Sequence, residues 1–339
     1  PKEKPTRVTA QKVKPQRKQT ATKIKVKTQA AAAAGTTGPL ASEEARLADN
    51  LGLLEIPSVT TADRPRMNTL LKQPRRVERR VVVNGSDSIS HTNFAVLGTA
   101  NWLGDEIMNY TSKVILQPTS EDVHVYNSHF MTALMGIPEH RPYEPTRYDY
   151  GAVRRWTHRI NTGASNIPPA DRIDRLKALY VTINKKNMHW LYLKVIPREK
   201  KIQLRDSMGV VAENKEYMAY MLRYLYDVWK ESHQSDTRGF TQWAQEWECN
   251  DLSNLTPRQR NGHDCGVFTL ITMYLDMQGV QLSRDTYNQQ WIYTNHTRKR
   301  LAYIIWKSST VDETAPSIEN FIRPRSGTGR VASRAGKKR

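Results

Sequence analysis

The sequence predicts an α+β fold in which helices flank a small central sheet. Two short apolar runs in mid-chain read as strands: 191–196, stopped by Pro197, and 202–204. Helical spacing of apolar residues marks 102–116 and 122–135 ahead of them, then 213–230, Cys265–Met277 and Thr297–Lys307 behind. No repeat with a period of 20–50 residues is visible, so this is one α+β body and not a solenoid.

Each element has a local reason. Residues 81–83 are a β-branched run ended by the turn pair Asn84-Gly85. In 102–116 the apolar positions are Trp102, Leu103, Ile107, Tyr110 and Val114, and 122–135 repeats the pattern up to Gly136 and Pro138. After the second strand, Asp206-Ser207-Met208-Gly209 is a turn. In 213–230, Tyr217, Met221, Leu225 and Val228 share one face. Cys265–Met277 is apolar on nearly all sides and reads as a buried helix, and the last helix turns Leu301, Ile304 and Ile305 inward.

Charge divides the chain into three. The 339 residues carry a formal +19, but residues 1–30 hold ten Lys/Arg and one Glu, and 323–339 hold seven Lys/Arg and no acid. The stretch between is close to neutral. The first arm lacks aromatics and any apolar period, so it cannot offset its ordering entropy and is expected to be disordered. A short helix is expected from Ser42, capped by its hydroxyl, and 57–80 reads as a polar linker. This places a disordered basic region at 1–80, the folded domain at 81–312 and a basic tail at 313–339.

Apolar residues make up 38%, enough for one good core. No window approaches 18 apolar residues and the chain as given shows no secretory leader, so neither a membrane span nor export is expected. Cys249 and Cys265 are too few for a disulfide framework and suit a reducing compartment. The Cys and His spacings match no zinc pattern, so no metal or other cofactor is expected. The arms suit nuclear import or non-specific, salt-sensitive contact with nucleic acid.

One constellation carries chemistry. Asn261-Gly262-His263-Asp264-Cys265-Gly266 sets a cysteine between a turn pair and the first turn of an apolar helix. Unpaired amides and the helix dipole there favour a thiolate, the Cys265 amide is a candidate oxyanion donor, and Gly266 leaves room for a substrate backbone. A free cysteine is also commonly an inert small hydrophobe. His189, beside Trp190 at a strand start, is the candidate base, with a structural histidine as the alternative. Asp206 follows 17 residues later, where an antiparallel neighbour strand would bring it beside the imidazole, with a turn aspartate bonding its own backbone as the common alternative.

These blocks resemble the ubiquitin-like-protein proteases of the Ulp/SENP type. The matching residues are His189 with Trp190, Asp206 in Asp-Ser-Met-Gly, and Cys265 in Gln-Arg-Asn-Gly-His-Asp-Cys-Gly-Val-Phe. Trp102-Leu103-Gly104-Asp105-Glu106 and the block 123–130 match too, so the resemblance spans roughly 83–310. Thr182 and His263 depart from it, standing where proline and tyrosine are frequent. It implies a papain-like fold with rearranged His-Asp-Cys chain order, in which Cys265 attacks, His189 is the base, Asp206 orients it and Gln259 completes the oxyanion hole. Trp102 and Trp190 would wall the passage for a Gly-Gly tail, with core packing as their alternative, and Asp105 would lie near the substrate unless it is simply a first-turn acid. The implied partner is a SUMO-type ubiquitin-like protein and its conjugates, with cleavage in processing, deconjugation or both. NEDD8-like or ubiquitin substrates, a viral or mobile-element maturation protease, a same-layout acyltransferase and a non-catalytic binder are the competing readings.

Overall fold

The computed structural model describes residues 58–73, 79–120, 122–137, 148–161, 166–285, 287–294 and 296–310. The basic arms and the helix expected from Ser42 lie outside them. The described residues begin with α1 (Arg64–Leu70), the hairpin β1 (Arg80–Asn84) and β2 (Asp87–Ser90), α2 (His91–Ala95) and α3 (Asp105–Tyr110). Then come β3 (Val123–Tyr126), α4 (His129–Leu134), α5 (Tyr150–Val153) and α6 (Pro169–Asp174). The hairpin β4 (Ala178–Lys185) and β5 (His189–Ile196) leads to β6 (Lys201–Arg205), α7 (Lys215–Ser232), α8 (Phe240–Ala244) and β7 (Glu248–Asp251). The remaining helices are α9 (Cys265–Met277), α10 (Gln289–Thr294) and α11 (Thr297–Lys307).

The main sheet has the order β3-β4-β5-β6-β7, parallel at its two outer pairs and antiparallel within. Alternation along the strands splits the interior in two. Tyr180, Trp190 and Tyr192 pack with α9 on one face, and Val181, Leu191, Leu193 and Leu204 pack with α7 on the other. Because both faces are covered, β4 and β5 each carry four buried apolar residues in a row, at 178–181 and 190–193.

Three expectations need correction. Residues 57–80 are not only linker: Met67 and Leu70 are buried on one face of α1, and His91 bonds the Leu70 carbonyl at 3.1 Å. Asp63, just ahead of α1, accepts the Tyr303 hydroxyl of α11 at 2.7 Å, so the folded body starts before Val81. The helix expected across 122–135 is a strand followed by a helix. All four side chains of Val123-His124-Val125-Tyr126 are buried, which a parallel strand covered on both faces achieves. The helix expected from 102 starts at Asp105, after the extended Gly104, and continues as a π-turn over Thr111–Leu116. The helices Cys265–Met277 and Thr297–Lys307 have the expected bounds.

Candidate active site

The β4–β5 connection is three residues long, with Lys186 and Asn187 in the left-handed region, and it sets His189 directly across from Lys185. The neighbouring strand β6 ends at Arg205, so Asp206 leaves the sheet beside the start of β5. Its Oδ1 lies 2.7 Å from His189 Nε2. The same oxygen accepts the Met208 amide at 2.8 Å, and Oδ2 accepts Asn214 Nδ2 at 2.8 Å. Asp206 thus closes its own turn and holds the ring, which unites the two sequence readings.

The other side of the His189 ring meets Cys265. Burial opposes charge on the imidazole, but hydrogen bonds to Asp206 and Cys265, with the charges of both, outweigh it and push His189 up to about 9. Cys265 is the buried first residue of α9, where backbone amides lack helical partners. Gln259 lies close by in a fixed pose. Ser207 Oγ donates to its Oε1 at 2.6 Å, and its Nε2 donates to the Asn261 carbonyl at 2.7 Å. This bond uses one of the two amide hydrogens.

The loop before Cys265 is held by a buried acid. Asp264 accepts from Arg298 Nε and Asn261 Nδ2, each at 2.7 Å, and from Gln289 Nε2 at 2.8 Å. Burial works against its ionisation, yet these donors and the Arg298 charge hold it below the ordinary carboxylate value. Arg298 also donates to the carbonyls of His263 at 3.0 Å and Asn101 at 2.9 Å.

Trp102 is 49% exposed, and its Nε1 donates to the Gly262 carbonyl at 2.5 Å. Trp190 is different: its indole is core, and its Nε1 donates to the Leu103 carbonyl at 2.7 Å, so it braces the backbone next to Trp102. Gly266 is also buried. A Cβ there would stand 3.0 Å from Leu103 Cβ and 3.1 Å from Met108 Sδ, so the space expected for substrate is taken up by packing. Asp105 is exposed in the first turn of α3, with Ser128 Oγ 3.3 Å from its Oδ1. Cys249 sits half-buried on β7, its thiol pushed up to about 11 by burial and Glu248.

Sequence reasoning missed Lys185, Ser207, Asn214, Asp264 and Arg298. Ser207 and Asp264 are chain neighbours of residues it had singled out, and Lys185 follows from hairpin register. Arg298 had no local signal. Trp102, Met188, Met208, Val210, Leu255 and Tyr293 are the exposed large apolar side chains among the described residues. Between two of these, Gly209 (φ +101°) carries the Arg258 guanidinium against it, where a Cβ would lie 1.6 Å from a guanidinium nitrogen. Among the described residues, no three His, Cys, Asp or Glu side chains group to hold a metal ion, and no helix is long and apolar enough to cross a membrane.

Ubiquitin-like-specific protease 1A of Arabidopsis thaliana is 27% identical over 199 residues, covering 57% of this chain and 35% of that protein. Sentrin-specific protease 2 of Homo sapiens is 26% identical over 186 residues, covering 53% of this chain and 26% of that protein. The chain thus spans about a third or less of the length of these relatives. Among solved structures, the C-terminal Ulp1 protease domain in complex with Smt3, the yeast orthologue of SUMO, superposes with a TM-score of 0.57 at 21% identity, covering 75% of this chain and 98% of that one. The Chaetomium thermophilum Ulp1-like SUMO protease catalytic domain gives 0.55 at 17% identity, covering 77% and 95%. Both share the fold. The family model described as the Ulp1 protease family, C-terminal catalytic domain, matches residues 101–302, and the chain belongs to that family.

Proposed function

We propose that the protein is a cysteine peptidase that cuts after the C-terminal Gly-Gly of a SUMO-type ubiquitin-like protein, in precursors, conjugates or both. The observation that carries this reading is the Asp206–His189–Cys265 alignment, with a 2.7 Å bond at one end of the imidazole and a cysteine on a helix N-terminus at the other. The substrate class is carried over from the matched relatives, whose names specify ubiquitin-like proteins and SUMO.

In this reading His189 takes the Cys265 proton and Asp206 holds the imidazolium in place. The thiolate attacks the glycine carbonyl. The second Gln259 amide hydrogen and the Cys265 backbone N–H receive the oxyanion, one such donor being worth about 3 kcal/mol. His189 then protonates the leaving amine, and water, deprotonated by the same ring, releases the thioester. In this scheme the exposed Trp102 indole lies over a tail that lacks side chains. The basic segments 1–30 and 323–339 serve nuclear import or polyanion contact in this scheme, separate from catalysis.

The deciding experiment is a panel of ubiquitin-like proteins that each end in an electrophile. A covalent adduct at Cys265, strongest with the SUMO probe, is expected. No adduct with any probe from folded protein overturns the reading, and an adduct only with another member reassigns the substrate.

A further inference from the structure

Behind the His189–Asp206 pair the hydrogen bonding continues inward. Asn214 precedes α7 and is fully buried. Its Nδ2 donates to Asp206 Oδ2 at 2.8 Å, and its Oδ1 accepts from Lys185 Nζ at 2.8 Å. The Lys185 side chain is 14% exposed, with Glu213 Oε2 3.3 Å from its ammonium. Lys185 is also the register partner of His189 across the hairpin. One strand pair therefore presents both the ring and the cation that ends the chain of bonds.

The chemistry of an amide makes this arrangement directional. An Asn214 turned end for end would set its oxygen against the Asp206 carboxylate and its NH2 against the Lys185 ammonium, two repulsions in a buried place. The lysine thus selects the one orientation in which Asn214 donates to Asp206. With the Met208 amide on Oδ1 and Asn214 on Oδ2, the carboxylate plane cannot rotate away from the imidazole.

We propose that Asn214 and Lys185 are positioning residues of the reaction: the lysine sets the amide, the amide locks the carboxylate, and the carboxylate holds His189. This rests on the peptidase reading above. Asn214 is fully buried and Lys185 bonds to it behind Asp206, so their loss is expected in kcat and not in KM. The charged and titratable groups facing the ring are Asp206, Cys265 and, across the hairpin, Lys185 with its partner Glu213.

The test uses the full chain and a fluorogenic reporter made on the ubiquitin-like protein that labels Cys265. For Asn214→Ala and Lys185→Met, kcat is expected to fall roughly 10- to 100-fold with KM nearly unchanged. Lys185→Arg, which keeps a charged donor, is expected to recover most of it. The alkaline limb of the rate profile discriminates causes. Deleting a nearby positive charge alone favours the imidazolium and moves that limb up; releasing the carboxylate weakens its hold on the ring and moves it down. A downward move is expected in both variants, together with loss of the downfield proton signal of the His189–Asp206 bond in NMR spectra. A limb that stays or rises, or a proton signal that persists while activity falls, overturns the relay. Lys185 lies at a strand end, so Lys185→Met keeps the test open if Asn214→Ala fails to fold. A parent chain that neither cleaves nor is labelled overturns the peptidase reading and the relay with it; a parent that cleaves beside variants of equal kcat overturns the relay alone.

Discussion

Arg298 Nε lies 2.7 Å from Asp264 Oδ1, so a side chain of α11 grips the residue immediately ahead of the candidate nucleophile. The same guanidinium reaches the carbonyls of His263 and Asn101, which joins the Cys265 loop to the segment bearing Trp102. A lysine in its place has one nitrogen for three directions.

Arg298→Met is therefore expected to strand a buried carboxylate and to lower unfolding stability by about 3 kcal/mol or more, read from urea denaturation. Asp264 is held below its ordinary value, so its contribution is present above about pH 4 and is lost as pH falls through the folded-state value. Arg298→Lys keeps the charge and is expected to fold, with kcat/KM reduced. Parent-like activity in Arg298→Lys removes the strap from the account.

Ser207 fixes Gln259 by donating to its side-chain oxygen. Ser207→Ala is expected to reduce kcat several-fold, and Gln259→Ala by roughly 100-fold. Because both act through one amide, the double variant is expected to match Gln259→Ala alone. Additive losses in single-turnover acylation would show that the serine acts elsewhere.

The two cysteines differ in environment. Cys265→Ser is expected to abolish turnover with the melting temperature kept, and Cys249→Ala to retain turnover at a modest cost in stability. With its thiol raised to about 11, Cys249 is expected to alkylate slowly at neutral pH. Peptide mass mapping after limited iodoacetamide treatment checks this, and faster modification at Cys249 would contradict it.

His189 carries its proton well above the usual histidine range, to about 9. In the proposed mechanism the imidazolium protonates the leaving amine, so kcat/KM is expected to stay level through neutral pH and fall as pH passes about 9. Stability follows the same sign: what the charged ring adds is fully present below about pH 6.5 and is lost as pH rises through the folded-state value. A descending limb near pH 7 would mean that Asp206 and Cys265 do not hold the proton as the geometry implies.

Much of this was legible in the residues because it is local. The buried helix from Cys265 to Met277 declares itself by apolar content and a turn pair ahead of it, and His189 by the strand it opens. Residues 122–135 misled because Val123, Val125 and Tyr126 suit a helical stripe as well as a strand buried on both faces; only pairing with β4 decides. The linker reading of 57–80 failed because a seven-residue helix with two buried side chains is nearly all polar in composition. Trp190 and Gly266 were drawn toward the substrate by their neighbours in sequence, whereas packing against the Leu103 segment fixes both. Arg298 acts across the whole domain, and no pattern near it announces that.

The division of the interior by the sheet bears on how the chain comes into being. Cys265 belongs to the compartment under α9, while the residues that steady Asp206 face the one under α7. Synthesis delivers Lys185, His189, Asp206 and Asn214 first, the thiol some fifty residues after Asn214, and Arg298 later still. In chain order the proposed base thus precedes the proposed nucleophile, and both precede the arginine that clasps the nucleophile's loop. In the proposed peptidase, full hydrolytic competence is therefore expected only once α11 has docked and Arg298 grips Asp264.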